Sequence, residues 1–187
     1  MTYFEQLTGL PEYNLYPEIQ KMSLDWGKSN QICINSPIAN NSNHLIGTGS
    51  LKYDWDNRKQ IMEPGGTIRW EVPDRAVQYH EKDFVYLNER FHNTLLGEIY
   101  YELKERYSLG RLRLMRSEPK TCLSWHTDSS PRIHYPVKTQ EGCLMVIEDE
   151  VKHLPANTWW MTDTTMSHTA MNASKETRIH LVAVAND

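Results

Sequence analysis

The C-terminal half of the chain is written in short segments that alternate between apolar and polar residues or are continuously apolar: RLRLMR (111–116), RIHYPV (132–137), CLMVIED (143–149), NTWWMTD (157–163) and RIHLVAVA (178–185). Each is bounded by Pro, Asn, Ser or Lys. A period of two between such turn residues predicts strands, and their spacing predicts a β-sandwich or jelly roll.

Two other textures precede it. From Tyr86 to Tyr107 the apolar residues Leu87, Phe91, Leu95, Ile99 and Leu103 recur every four positions, with Glu89, Arg90, Glu102, Lys104 and Glu105 between them. This predicts one amphipathic helix, ending near Ser108 to Gly110 and packed on one of the sheets. Gly97 inside it costs about 1 kcal/mol relative to Ala. Residues 1–85 mix short apolar runs with Asn, Gly, Pro and Ser and show no sustained helical period, so short strands and long loops are expected there. With no linker and no internal repeat, the expectation is a single domain over 1–187: N-terminal strands and loops (1–85), a support helix (86–107) and a jelly-roll core (111–184).

Composition narrows the function. An apolar fraction of 39% and a charged fraction of 24% are ordinary for a globular chain able to bury its own core. A net charge of −4 and a pI near 6.1 argue against a nucleic-acid binder, which carries a basic face. Cys33, Cys122 and Cys143 are an odd set without CxxC spacing, which predicts neither a disulfide framework nor a thiolate zinc site. The N-terminus lacks a basic region followed by an apolar core, and no stretch reaches the length of a membrane span. The expectation is a cytoplasmic protein, off the membrane.

The candidate chemistry begins at WHTD. On an extended segment, residues two apart point to the same side, so His126 and Asp128 can reach one ion. The structural alternative is a turn in which Asp128 bonds the backbone near Ser129 to Pro131. A second histidine, His168, follows about 40 residues on, one strand before the last. Two histidines and one carboxylate make a facial triad that leaves positions open on iron, as oxygen activation requires.

Arg178 opens the terminal strand, and alternation puts Arg178, His180 and Val182 on one face and Ile179, Leu181 and Ala183 on the other. An arginine facing a sandwich interior needs a partner, and its fork suits a carboxylate. The distal carboxylate of 2-oxoglutarate is one candidate; Glu176 or Asp163 of the protein is the structural alternative. RIHYP places Arg132 and His134 on one strand face by the same period. They form either a second positive site at the barrel mouth or the solvated charges of an edge strand, which Pro136 suits.

Taken together, His126-Thr-Asp128, Arg132-Ile-His134, the Glu-Gly-Cys at 141–143, His168 and Arg178 resemble the 2-oxoglutarate and iron(II) oxygenase superfamily, and within it the aspartyl/asparaginyl β-hydroxylase and proline-hydroxylase-like group. The resemblance covers about residues 111–184. It implies a mainly β, cupin-like double-stranded β-helix with supporting helices, Fe(II), 2-oxoglutarate as cosubstrate, O₂, and hydroxylation of a C–H bond. It further implies His126 and His168 as ligands, Arg178 on the distal carboxylate, and Arg132 with His134 along the cosubstrate. Asp128 is a departure from the mammalian aspartyl hydroxylases, which lack a carboxylate ligand, and is closer to the free-proline hydroxylases.

On this reading the partner is a small molecule or a peptide or protein side chain. Residues 1–85, with the loops around Asn40 to Trp55, are expected to choose the substrate. Trp125, Trp159 and Trp160 are placed either to wall the pocket or to pack the core. Two rivals are a catalytically silent jelly-roll binding module and a cupin-type metal enzyme that does without 2-oxoglutarate. The second has no need of Arg178.

Overall fold

The computed structural model describes residues 2–186. From Leu109 onward, successive strands change sheet almost every time. Leu109–Ser117, Arg132–Lys138, Trp159–Thr162 and Arg178–Ala185 lie in one sheet; Thr121–Cys122, Cys143–Ile147 with its hairpin partner Glu150–Lys152, and His168–Asn172 lie in the other. That alternation winds the chain into the cupin-like double-stranded β-helix. N-terminal strands complete the larger sheet: Phe4–Leu7 joins one edge beside Trp159–Thr162, and Gln31–Cys33 the other beside Leu109–Ser117, giving six antiparallel strands.

The two faces of this sheet differ sharply. One face carries Ile32, Leu112, Leu114, Ile133, Tyr135, Val137, Ile179, Leu181 and Ala183, buried against two helices, Leu15–Lys21 and Leu95–Arg106. From the longer helix Leu96, Ile99 and Leu103 are wholly buried, each contributing on the order of 1.5–3 kcal/mol. The other face looks toward the four-stranded sheet. Around Trp160 it is apolar, with Phe4, Met145, Ile147, Leu154 and Ala170. Elsewhere it is charged, because strand alternation turns Arg111, Arg113, Arg132, His134, Arg178 and His180 inward, and all six are buried.

Three readings of the sequence need correction. The apolar repeat from Leu87 is not one helix: Tyr86–Leu87 is a strand, Glu89–Phe91 a 3₁₀ turn, and the helix proper begins at Leu95. Buried Asn88 donates to Cys33 O (2.7 Å) instead of continuing a helix, and Asn93 sits at φ +60°. Thr94 then caps the helix by accepting from Gly97 N–H (3.2 Å). Gly97 is there for space: a Cβ would run into the Phe91 carbonyl. The helix Leu15–Lys21 was not expected at all. Pro17 falls in its first turn, where no N–H partner is lost, and Leu15 and Ile19 bury one side. Nor is RIHYP an edge strand: it lies between Trp159–Thr162 and Arg178–Ala185, with Pro136 at a register irregularity that spares its missing N–H. No helix among the described residues is long and apolar enough to cross a membrane.

Candidate metal centre

His126 and His168 are brought together by an isolated antiparallel bridge between the segment before Ser129 and the strand His168–Asn172. His126 N–H donates to His168 O (3.1 Å) and His168 N–H to His126 O (2.9 Å). Asp128 is tied down next to them by its N–H to Thr164 O (2.8 Å). One ligand atom from each of His126, Asp128 and His168 lies within 4.8 Å of the other two. Asp128 therefore lies in one cluster with the two histidines.

Both imidazoles are held from behind. Nδ1 of His126 lies 2.8 Å from Ser124 O and Nδ1 of His168 lies 3.0 Å from Met166 O. A carbonyl only accepts, so each Nδ1 carries the proton and each Nε2 is left with a lone pair, the arrangement a metal-binding histidine needs. Burial lowers the His168 pKa below the ordinary imidazole range, favouring the neutral form. His168 Nε2 and Asp128 Oδ2 lie 3.8 Å apart. His168 is buried, Asp128 partly exposed and His126 exposed, so the cluster sits at the mouth of the roll. Two imidazoles and a carboxylate are a donor set that fits Fe(II) with positions to spare.

Arg178 lies deeper on the terminal strand. Neither protein acid considered for it is in place: Glu176 is paired with Lys138 (3.1 Å), and no carboxylate among the described residues lies within salt-bridge range of the guanidinium. Its Nε–H donates to His180 Nε2 (2.9 Å), and Nη2 lies 3.0 Å from His180 Nδ1. A neutral imidazole offers one acceptor for five guanidinium donors, so most of Arg178 is uncommitted. Burial pulls its pKa down to about 10, which still leaves it charged at neutral pH. Burial and the Arg178 charge push both His180 and His134 well below the usual imidazole range, so these two remain neutral. Cys143, from Glu-Gly-Cys, faces this region from the opposite sheet and donates to Asn172 Oδ1 (3.3 Å).

Arg132 does not stand free beside His134. Its Nε meets Asp128 Oδ2 (3.1 Å), Nη2 meets Glu81 Oε2 (2.7 Å) and Nη1 donates to Ser130 O and Oγ (3.0 and 2.7 Å). Glu81, in a 3₁₀ turn of the N-terminal half, was not singled out from the sequence; nothing in HEKD marks it. Of the three tryptophans, Trp125 stands exposed (56%) next to His126, Trp160 packs between the sheets, and Trp159 points to the helix side, its indole N–H on Pro11 O (2.8 Å).

Residues 94–185 match the family model of the aspartyl/asparaginyl β-hydroxylases. That span contains the His126, Asp128 and His168 cluster and Arg178. The chain is thus similar to this hydroxylase family across its C-terminal half. The chain is also similar to L-proline cis-4-hydroxylase of Rhizobium meliloti (strain 1021), at 27% identity over 133 residues, covering 67% of this chain and 44% of the relative. It thus spans less than half of that relative's length. Among solved structures, a 2OG-Fe(II) oxygenase family oxidoreductase from Burkholderia pseudomallei aligns at 15% identity and TM-score 0.38, over 52% of this chain and 50% of that one. A cupin domain from Bordetella pertussis Tohama I aligns at 16% identity and TM-score 0.36, over 41% of this chain and 81% of that one.

Proposed function

We propose that this protein is an Fe(II)- and 2-oxoglutarate-dependent dioxygenase. It hydroxylates a C–H bond of a free amino acid, a peptide or protein side chain, or a small metabolite, with release of succinate and CO₂. The observation that carries the reading is the pairing of two features in one roll: the His126, Asp128 and His168 cluster with both Nε2 atoms free, and a buried Arg178 that no carboxylate among the described residues neutralises.

His126, Asp128 and His168 would hold the iron and Arg178 the far carboxylate of 2-oxoglutarate. Iron and 2-oxoglutarate supply the oxidising chemistry, in which O₂ gives one oxygen atom to the substrate C–H bond and the other to the succinate left after decarboxylation. The chain's own work is positioning. Arg178 faces inward with Arg113, whose pKa burial lowers to about 9 and which stays charged, so this wall attracts a dianion. Neutral His134 and His180 fill the space beside it without repelling further cations. No side chain has to act as a general base.

The name of the curated relative supports trying free L-proline first, then asparagine, aspartate and peptides containing them. The three cysteines are free thiols, which fits a reducing compartment, and cytoplasmic action is part of this proposal, as is the working of residues 1–187 as one oxygenase unit. The test is succinate release with Fe(II), 2-oxoglutarate and ascorbate, scored above the uncoupled background for each substrate. Release that stays at background with every substrate, together with no binding of 2-oxoglutarate, would leave a silent jelly-roll module. Metal binding without 2-oxoglutarate binding would leave a cupin-type enzyme.

A further inference from the structure

Glu81 is about 45 residues before the first candidate ligand, yet its two carboxylate oxygens are each held by a different buried arginine. Oε2 meets Arg132 Nη2 and Oε1 meets Arg111 Nη2, both at 2.7 Å. We infer that Glu81 is a positioning residue for the metal centre: through Arg132 it sets the orientation in which Asp128 presents its carboxylate. This rests on the reading of His126, Asp128 and His168 as metal ligands.

The contacts form one connected line. Arg111 anchors the far end, with Nη1 on the carbonyls of Gly47 (2.7 Å) and Gly49 (3.0 Å). Glu81 comes next, then Arg132, then Asp128 Oδ2. The side chains of Arg111, Arg132 and Glu81 are only 7, 4 and 15% exposed, so water cannot replace the links. Every nitrogen of the Arg132 guanidinium is engaged: Nε with Asp128, Nη2 with Glu81, Nη1 with Ser130. It cannot turn without breaking one of them.

The backbone is shaped to bring Glu81 this close. The turn Glu81–Asp83 is closed by His80 N–H donating to Asp83 Oδ2 (2.7 Å). It lies against Gly110 of the long strand, where a Cβ would come within 2.9 Å of the Glu81 carbonyl oxygen. Phe84, at the end of the turn, seats its ring against Gly47, where any side chain would overlap it.

Physical chemistry gives the direction of the effect. Arg132 attracts Asp128, and a guanidinium with a free Nη2 takes a carboxylate bidentately. Glu81 occupies that Nη2, so Arg132 holds Asp128 through Nε alone. Without the Glu81 charge, Arg132 turns its full fork to Asp128 and draws the carboxylate away from the two imidazoles. Loss of such an outer partner typically weakens metal binding on the order of 10- to 100-fold.

The experiment is a Co(II) titration of metal-free protein, followed by the visible spectrum at saturation, for the wild type, Glu81→Gln, Asp128→Ala and the double variant, with melting temperatures alongside. Glu81→Asp keeps the charge between the arginines but draws it back by one methylene, and covers the case in which Glu81→Gln does not fold. The expected result is Co(II) affinity about 10- to 100-fold weaker in the Glu81 variants, a changed spectrum at saturation, and a further change of less than about twofold when Asp128 is already Ala. Unchanged affinity in the Glu81 variants overturns the role. So does an equal loss in the Asp128→Ala background, or a lower affinity with a wild-type spectrum, since either makes Glu81 merely structural. A folded wild type that binds no Co(II) overturns the metal-site reading itself, and the role with it.

Discussion

His126 and His168 each donate a backbone N–H to the other's carbonyl, at 3.1 and 2.9 Å, and this exchange holds their rings with centroids 4.2 Å apart. The two residues are 42 positions apart in sequence, so neither is placed by its neighbours alone. A centre built this way is as rigid as the strand that carries His168. The exposed His126 depends on that strand for its position.

Arg178 gives the sharpest prediction about cosubstrate. Arg178→Met removes the uncommitted donors and keeps an apolar side chain of similar length. Affinity for 2-oxoglutarate, measured by calorimetry on Mn(II)-loaded protein, should fall by about 1.5–3 kcal/mol, the size of a hydrogen bond to a charged group, with Mn(II) affinity unchanged. Equal 2-oxoglutarate affinity in a folded variant would remove Arg178 from the site.

The helix Leu95–Arg106 is scaffold. Leu103 is wholly buried against the six-stranded sheet, whereas Leu95, which the four-residue repeat nominated for the core, is only partly buried. Leu103→Ala should cost roughly 2–5 kcal/mol in urea unfolding and leave metal affinity alone. Intact stability with lost turnover would contradict the packing described here.

The grouping of His126, Asp128 and His168 was legible because its signal is local: His126-Thr-Asp128 shares a face by the period of two, and His168 stands out as a histidine one strand before the last. The strands were legible for the same reason. What was hidden depends on contacts across the chain. The break between Leu87 and Leu95 follows from Asn88 bonding Cys33 O and from Thr94 capping, and the four-residue apolar repeat runs straight through both. Glu81 reaches Arg111 and Arg132 only because Gly110 lets the turn approach, and no pattern along residues 78–84 encodes that. For Arg132 alternation left an inward face and a solvated edge strand both open; it faces inward, and its partners, Asp128 and Glu81, are ones alternation alone cannot choose.

Glu81 also makes stability depend on pH. Burial pushes its carboxyl up, but Arg132, Arg111 and Arg113 together outweigh this and hold it below the ordinary value of 4.5. A carboxylate whose folded pKa is depressed binds fewer protons than in the unfolded chain. Its stabilisation is therefore full above about 4.5 and lost as pH falls through the lower folded value. Urea midpoints of the wild type should drop more steeply below pH 4.5 than those of Glu81→Gln. Parallel pH profiles would show that the arginines do not act on Glu81.

One iron ion and 2-oxoglutarate are proposed to assemble on His126, Asp128 and His168. An anaerobic titration of metal-free protein with Fe(II) in the presence of 2-oxoglutarate measures this directly, through the visible charge-transfer absorption of 2-oxoglutarate chelated to iron. The wild type should develop the band at one iron per chain. His126→Ala and His168→Ala should not, and Asp128→Ala should need far more iron to reach it. A folded wild type without the band, or a band of equal strength and affinity in His168→Ala, would contradict the account.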